Sequence, residues 1–235
     1  MSWVAGVDGC RAGWVVVLAQ QQIGKQDHHI KLCTHFAEVL SLSPRPAVIA
    51  VDIPIGLLDT PQPGGRECDR QARRLLGRRA SSVFTPPTRS LLESTRYEQV
   101  RSHGVSMQAF NILPKIREVD RLITPELQTS IHESHPELAF RSLAGAPMQH
   151  NKKMAAGHRE RLRALSQAQG ESLREISRRV SDALRDYRRV QVVPDDILDA
   201  SILAWTALRI ANGQATRLPP DPPVDRKGLR MEIWH

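Results

Sequence analysis

The chain has 235 residues, a formal net charge of +8 and a sequence pI near 10.0, with aromatic residues at only 4%. That length holds one sizeable α/β domain with insertions and needs no covalent staples; the charge favours a polyanionic partner, and the scarcity of aromatics works against an extended base-stacking platform. Three cysteines with no close pair exclude a disulfide framework and a cysteine zinc site, and the lack of a leader or membrane-length apolar run predicts a soluble, unprocessed, cytoplasmic protein with no membrane partner.

The stretch "WVAGVDGCRAGWVVVLAQ", Trp3 to Gln20, reads as two strands joined by a glycine-punctuated turn, with Asp8 at the end of the first. Taken alone this is a hairpin, in which Gly9 and Gly13 supply positive φ and Asp8 is a turn residue. "HHIKLCTHF" gives a third strand alternating at Ile30 and Leu32, and a short helix follows over Phe36 to Leu42. The run Ala47 to Val51 is too short for a buried helix and is bounded by prolines, so it predicts a buried fourth strand. That strand too ends in an aspartate, Asp52, with Pro54 just beyond.

From Arg66 to Arg117 eleven Lys or Arg residues face four Asp or Glu, whereas residues 1–65 are nearly balanced. Only six of the 33 basic residues are lysines, and a compositional bias explains that ratio without explaining the surplus of bases over acids. Helices are predicted from about Cys68 to Leu76 and through "FNILPKIREVDRLI", where Ile112, Ile116, Val119 and Ile123 keep helical spacing. Between them "GRRASSVFTPPTRS" reads as a loop, whose Arg78, Arg79, Ser81 and Ser82 are either a solvated basic segment or contacts for phosphate oxygens. Lys115, His135, Lys152 and Lys153 complete the candidate substrate contacts.

Thr129 to Ser134 is a fifth strand candidate, followed by His135, Pro136 and Glu137, the last of which suits the first turn of a helix. Residues 152–189 form two charged helical stretches. In "VPDDILDASILAWTALRIANG" Pro194 and Asp195 mark the entrance of a final helix, with Asp195 the expected N-cap, Asp196 in the first turn and Gly213 past the end. Asp199 lies one turn inside an otherwise apolar helix, on the same face as Asp196, and needs a partner there; a metal ion is one candidate. The tail, residues 214–235, is a proline-rich connector ending in an apolar run, Leu229 to Trp234, suited to an edge strand.

A hairpin with a third strand, a crossover helix, a fourth strand, helices, a fifth strand and a final helix is the element order of an RNase H-like α/β fold with a five-stranded mixed sheet. It predicts one domain over 1–235, with basic, largely helical insertions at about 66–128 and 150–190. In that order the first and fourth strands are neighbours and the last helix crosses them, so Asp8, Asp52, Asp196 and Asp199 converge. Carboxylate oxygens suit Mg²⁺ or Mn²⁺, and two such ions roughly 3.5–4 Å apart serve in-line phosphodiester cleavage. Asp8 is then the bridging ligand, Asp52 and Asp199 hold one ion each, and Asp196 or Glu137 is the fourth group.

The stretches "GVDGCRAGW", "VDIPIGL", "RRLLGRRASSVF", "LPKIREVD", "SHPELAF", "NKK" and "DDILDA" occur in order over almost the whole chain and resemble the domain-of-unknown-function family 429. The resemblance implies an RNase H-fold nuclease: "VDG" is similar to the first acidic position of ribonuclease H, and "DDILDA" to the last-helix acids of RuvC-type resolvases. Those resolvases carry a glutamate after the fourth strand where this chain has Asp52. The expected activity is metal-dependent hydrolysis of nucleic acid, DNA or RNA, by a chain compatible with homo-oligomers. The competing readings are a non-catalytic nucleic-acid or protein-binding module, and an actin-like phosphotransferase, which requires a second domain around a cleft.

Overall fold

A computed structural model describes residues 2–22, 25–169, 173–187 and 190–235. Strands β1 (Val4–Cys10), β2 (Gly13–Gln22) and β3 (Lys25–Cys33) form an antiparallel meander, followed by helix α1 (Phe36–Leu40) and strand β4 (Val48–Val51). Helices α2 (Glu67–Leu76), α3 (Glu98–Arg101) and α4 (Met107–Leu122) lead to β5 (Ile131–Glu133). Helices α5 (Pro136–Ala144), α6 (Ala155–Gln169), α7 (Leu173–Asp186) and α8 (Pro194–Ala211) follow, and two short strands, β6 (Arg217–Leu218) and β7 (Ile233–Trp234), close the order. The charged stretch 152–189 thus contains α6 and α7; residues 170–172 and 188–189 within it lie outside the described residues.

The sheet has the order β3-β2-β1-β4-β5, mixed as expected, with β1, β4 and β5 parallel. Both faces are covered, which is why β1 and β2 read as nearly continuous apolar runs. Ala5, Val7, Trp14, Val16 and Leu18 pack toward Phe36 and Val39 of α1 and Ile116 and Val119 of α4. Val15, Val17, Ala19 and Ala50 pack toward α8. That helix lies against β1, β2 and β4 on one side and meets α5, α6 and α7 on the other, so it is apolar almost all round.

Several local expectations are corrected. Gly13 has φ of +135° and requires glycine, but Gly9 is not among the positive-φ residues; the Lys115 side chain lies over it. The 77–90 loop contains two short 3₁₀ turns, Gly77–Ser82 and Arg89–Leu91. The tail forms its own ladder, β6 with β7, and meets the end of β5 through a bridge between Ser134 and Trp234 and the Trp234 ring against His132, without adding an edge strand to the main sheet. The surplus of arginine in 66–117 is largely consumed by the fold. Arg66, 2% exposed, forks onto Glu133 at 2.6 and 2.7 Å and onto Asp69, and also donates to the carbonyls of Ile55 and Gly56. Arg89 holds Asp120 and Asp225, Arg70 holds Glu67, and Arg73 and Arg117 donate to backbone carbonyls. All three cysteines are free and buried, and no helix among the described residues is long and apolar enough to cross a membrane.

Candidate active site

Parallel register brings the first two acids together. Val7 pairs with Val51, and the Asp52 N–H donates to the Val7 carbonyl at 3.0 Å, so Asp8 and Asp52 are the next residues on neighbouring strands. Alternation along a strand puts Asp8 on the same face as Gly6, and Asp52 on that of Ala50, the face that α8 covers. Gly6 sets the helix distance: a Cβ there would lie 2.1 Å from the Ala200 carbonyl oxygen and the Ala204 nitrogen. Because α8 runs this close, Asp199, one residue before Ala200, faces the strand ends.

The three carboxylates feel one another. Burial holds the Asp8 carboxyl well above the ordinary carboxylate value, and Asp199 and Asp52 push it further. Burial also raises Asp52, and Asp199 adds to it. Asp8 Oδ1 accepts the Gly9 N–H at 2.8 Å; among the described residues neither Asp8 Oδ2 nor the Asp52 carboxylate has a hydrogen-bond donor. Asp196 also lies near, raised by burial, but one of its oxygens accepts the Val193 N–H at 3.0 Å. The N-cap residue of α8 is therefore Val193, with Pro194 at the first helical position, and the expectation of an Asp195 cap is corrected.

The partner that Asp199 required is Lys152, whose ammonium stands 2.5 Å from Asp199 Oδ2. Burial opposes the charge on Lys152, but the attraction of Asp199, Asp8 and Asp52 outweighs it and raises the lysine above its ordinary value. A cavity of about 360 Å³ adjoins the cluster. Asp52, Arg79, Ser81, Ser82, His135, Glu137, Lys152 and Lys153, all expected site residues, line it. Phe84, Gln108, Ile112, Pro136 and Asn151 complete the wall and were not among the expected site residues; only Asn151 carried a signal, as the first residue of the stretch "NKK".

Two expected contacts, Arg78 and Lys115, stand apart from this wall. Arg78 is not in the lining and donates to Gln149. Lys115 is on the hairpin side, bonded to the Gly13 carbonyl and 4.6 Å from the centre of the Trp14 ring. Glu137 lines the cavity, but Arg161 pairs with it and Arg79 lies 3.7 Å away, so its charge is already met. His135 Nε2 faces the Ser82 carbonyl at 3.3 Å, and its buried Nδ1 has no partner among the described residues. A second cavity, about 440 Å³ between β3 and α7, lies away from the carboxylates.

Donor chemistry and charge decide whether a divalent ion suits the cluster. The available donors are carboxylate oxygens, which Mg²⁺ and Mn²⁺ prefer, and three carboxylates face one ammonium. Donor type and charge therefore fit such an ion. In geometry, however, no group of three or more His, Cys, Asp or Glu side chains among the described residues is disposed to hold one.

A family model described as "Protein of unknown function (DUF429)" matches residues 6–224. No curated protein matches the chain.

Proposed function

The chain belongs to the DUF429 family, and on that premise we propose that it is a divalent-metal-dependent nuclease of RNase H-like fold that hydrolyses nucleic-acid phosphodiester bonds. The observation that carries this reading is the meeting of Asp8 and Asp52, at the ends of adjacent parallel strands, with Asp199 on α8. Asp8, Asp52 and Asp199 would hold Mg²⁺ or Mn²⁺, one ion or two, with Asp196 at the margin. When bound, the ion neutralises phosphate charge and lowers the pKa of a water. In this reading Arg79, Lys153, Ser81 and Ser82 orient phosphate oxygens along the cavity, and a cation offsets the burial that disfavours charge on Asp8 and Asp52. Glu137 acts through Arg161 and Arg79 by fixing that wall.

A binding module without catalysis is the second reading, favoured by the ammonium already seated on Asp199. Asp8→Asn separates the two. It keeps shape but removes charge and a strong oxygen ligand, so Mg²⁺- or Mn²⁺-dependent cleavage of duplex, hybrid or branched substrates should fall by about 100-fold or more while nucleic-acid affinity survives. Undiminished cleavage by the folded variant refutes the mechanism. No cleavage by wild type, with no metal-induced shift in melting, selects the binding module.

A further inference from the structure

Lys152 reaches the acidic cluster from a seat built for it. The segment Gln149–Lys153 precedes α6, and Glu160 of that helix accepts the N–H groups of Gln149 at 2.7 Å and His150 at 2.9 Å. Arg161 donates to the His150 carbonyl at 3.2 Å, Arg79 donates to the same oxygen, and Asn151 Oδ1 accepts the Lys153 N–H at 3.0 Å. Gly157 lets the segment lie flat on α6: a Cβ there would be 2.0 Å from the Asn151 carbonyl oxygen. The backbone around Lys152 is thus pinned on both sides, and the four-carbon stem carries the ammonium from there to Asp199.

The two ends of the pair differ in access. The Asp199 side chain is 3% exposed and that of Lys152 is 41% exposed, so the lysine comes in from the solvent side. Its charge also favours the ionised forms of Asp8 and Asp52, so the ammonium acts on all three acids. The same side chain lines the cavity shared with Arg79, Ser81, Ser82 and Lys153.

We propose that Lys152 is a tethered cation that competes with the divalent ion: its ammonium closes the acidic cluster when no metal is bound, and metal loading turns it out into the adjoining cavity to face phosphate oxygens. The inference rests on the metal-dependent reading above. It rests also on the ammonium bonded to Asp199 at 2.5 Å, where a cation already meets the acid that the metal would need. Release of the lysine couples metal occupancy to anion capture, so the basic wall gains a charge only once the site is loaded.

Titration calorimetry with Mn²⁺ on purified wild type, Lys152→Met, Lys152→Gln and Asp8→Asn tests this, with thermal melts to establish folding. Removing the competing ammonium should tighten Mn²⁺ binding by about tenfold or more in Lys152→Met, while Asp8→Asn weakens it. Equal or weaker binding by a folded Lys152 variant overturns the competition and leaves the metal reading standing. No Mn²⁺ binding by folded wild type or Lys152 variant overturns the metal reading and the competition with it. A measurement on the wild type keeps the test open if the variants do not fold: with only six lysines in the chain, the Lys152 side-chain NMR signal is assignable. It should move on addition of Mg²⁺, and a signal that stays put while Mg²⁺ binds refutes displacement.

Discussion

Gly6→Ala tests the contact on which the site depends. The added methyl would sit 2.1 Å from two atoms, whereas ordinary contact begins near 3.4 Å, so α8 must recede by about 1.3 Å. Both atoms are main chain within an 18-residue helix packed between the sheet and α5, α6 and α7. No side-chain rotation relieves the overlap. Overpacking of this kind costs about 1–3 kcal/mol. At about 2–4 °C per kcal/mol for a chain of this size, Tm should fall by about 2–12 °C. Retreat of α8 also draws Asp199 away from Asp8, so Mn²⁺ affinity should drop in the same variant. Scanning calorimetry with circular dichroism reads the first effect, and titration calorimetry the second. Gly9→Ala is the control, because its new Cβ meets a Lys115 side-chain carbon at 2.8 Å and that flexible stem gives way. A Gly6→Ala protein that melts with the wild type would refute the close approach, and one that melts low but binds Mn²⁺ unchanged would refute its role in placing Asp199.

Asp8→Asn should raise the metal-free Tm at pH 7. The folded carboxyl lies well above 3.8, chiefly through burial, so its cost to the native state is absent below about pH 3.8, grows from there as pH rises toward the folded value and is constant above it; the gain from asparagine should therefore largely vanish in melts near pH 4. Arg66→Met leaves Glu133 and Asp69 buried without their cation, and should cost about 3–5 kcal/mol in urea unfolding. A loss below 1 kcal/mol, on the order of a surface pair, would show that the network is not desolvated.

Asp8 and Asp52 were legible because each ends an apolar run just before a turn, and the order of elements makes their strands neighbours. Local signals carry that far and stop. Lys152 lies 47 positions from Asp199, so no spacing rule links the pair; the sequence offered the lysine as a substrate contact and not as the partner of an acid. The arginines of α2 and the following loops suggested an open basic surface; their acceptors, Glu133, Asp225 and the backbone carbonyls, come from distant segments that periodicity does not join. Gly6 carried a readable signal, a glycine inside a buried strand where close approach is the usual reason. Pro194 carried another, since proline favours the first helical position and moves the cap back to Val193.

The central placement of α8 bears on how the protein comes off the ribosome. The β1–β2–β3 meander pairs residues close in the chain, but β5 joins β4 across 82 positions, Ile131 to Ile49, and α8 is made later still. Long-range pairings form slowly because the loop must close first. Until α8 emerges, the sheet face bearing Asp8 and Asp52 and the inner faces of α5, α6 and α7 have no common filler. The nascent chain therefore keeps its two strand-end carboxylates hydrated until α8 has been made. Their desolvation is deferred to the docking of α8, which also delivers Asp199, so a ribosome-bound chain that has not yet released this helix has an incomplete acidic cluster.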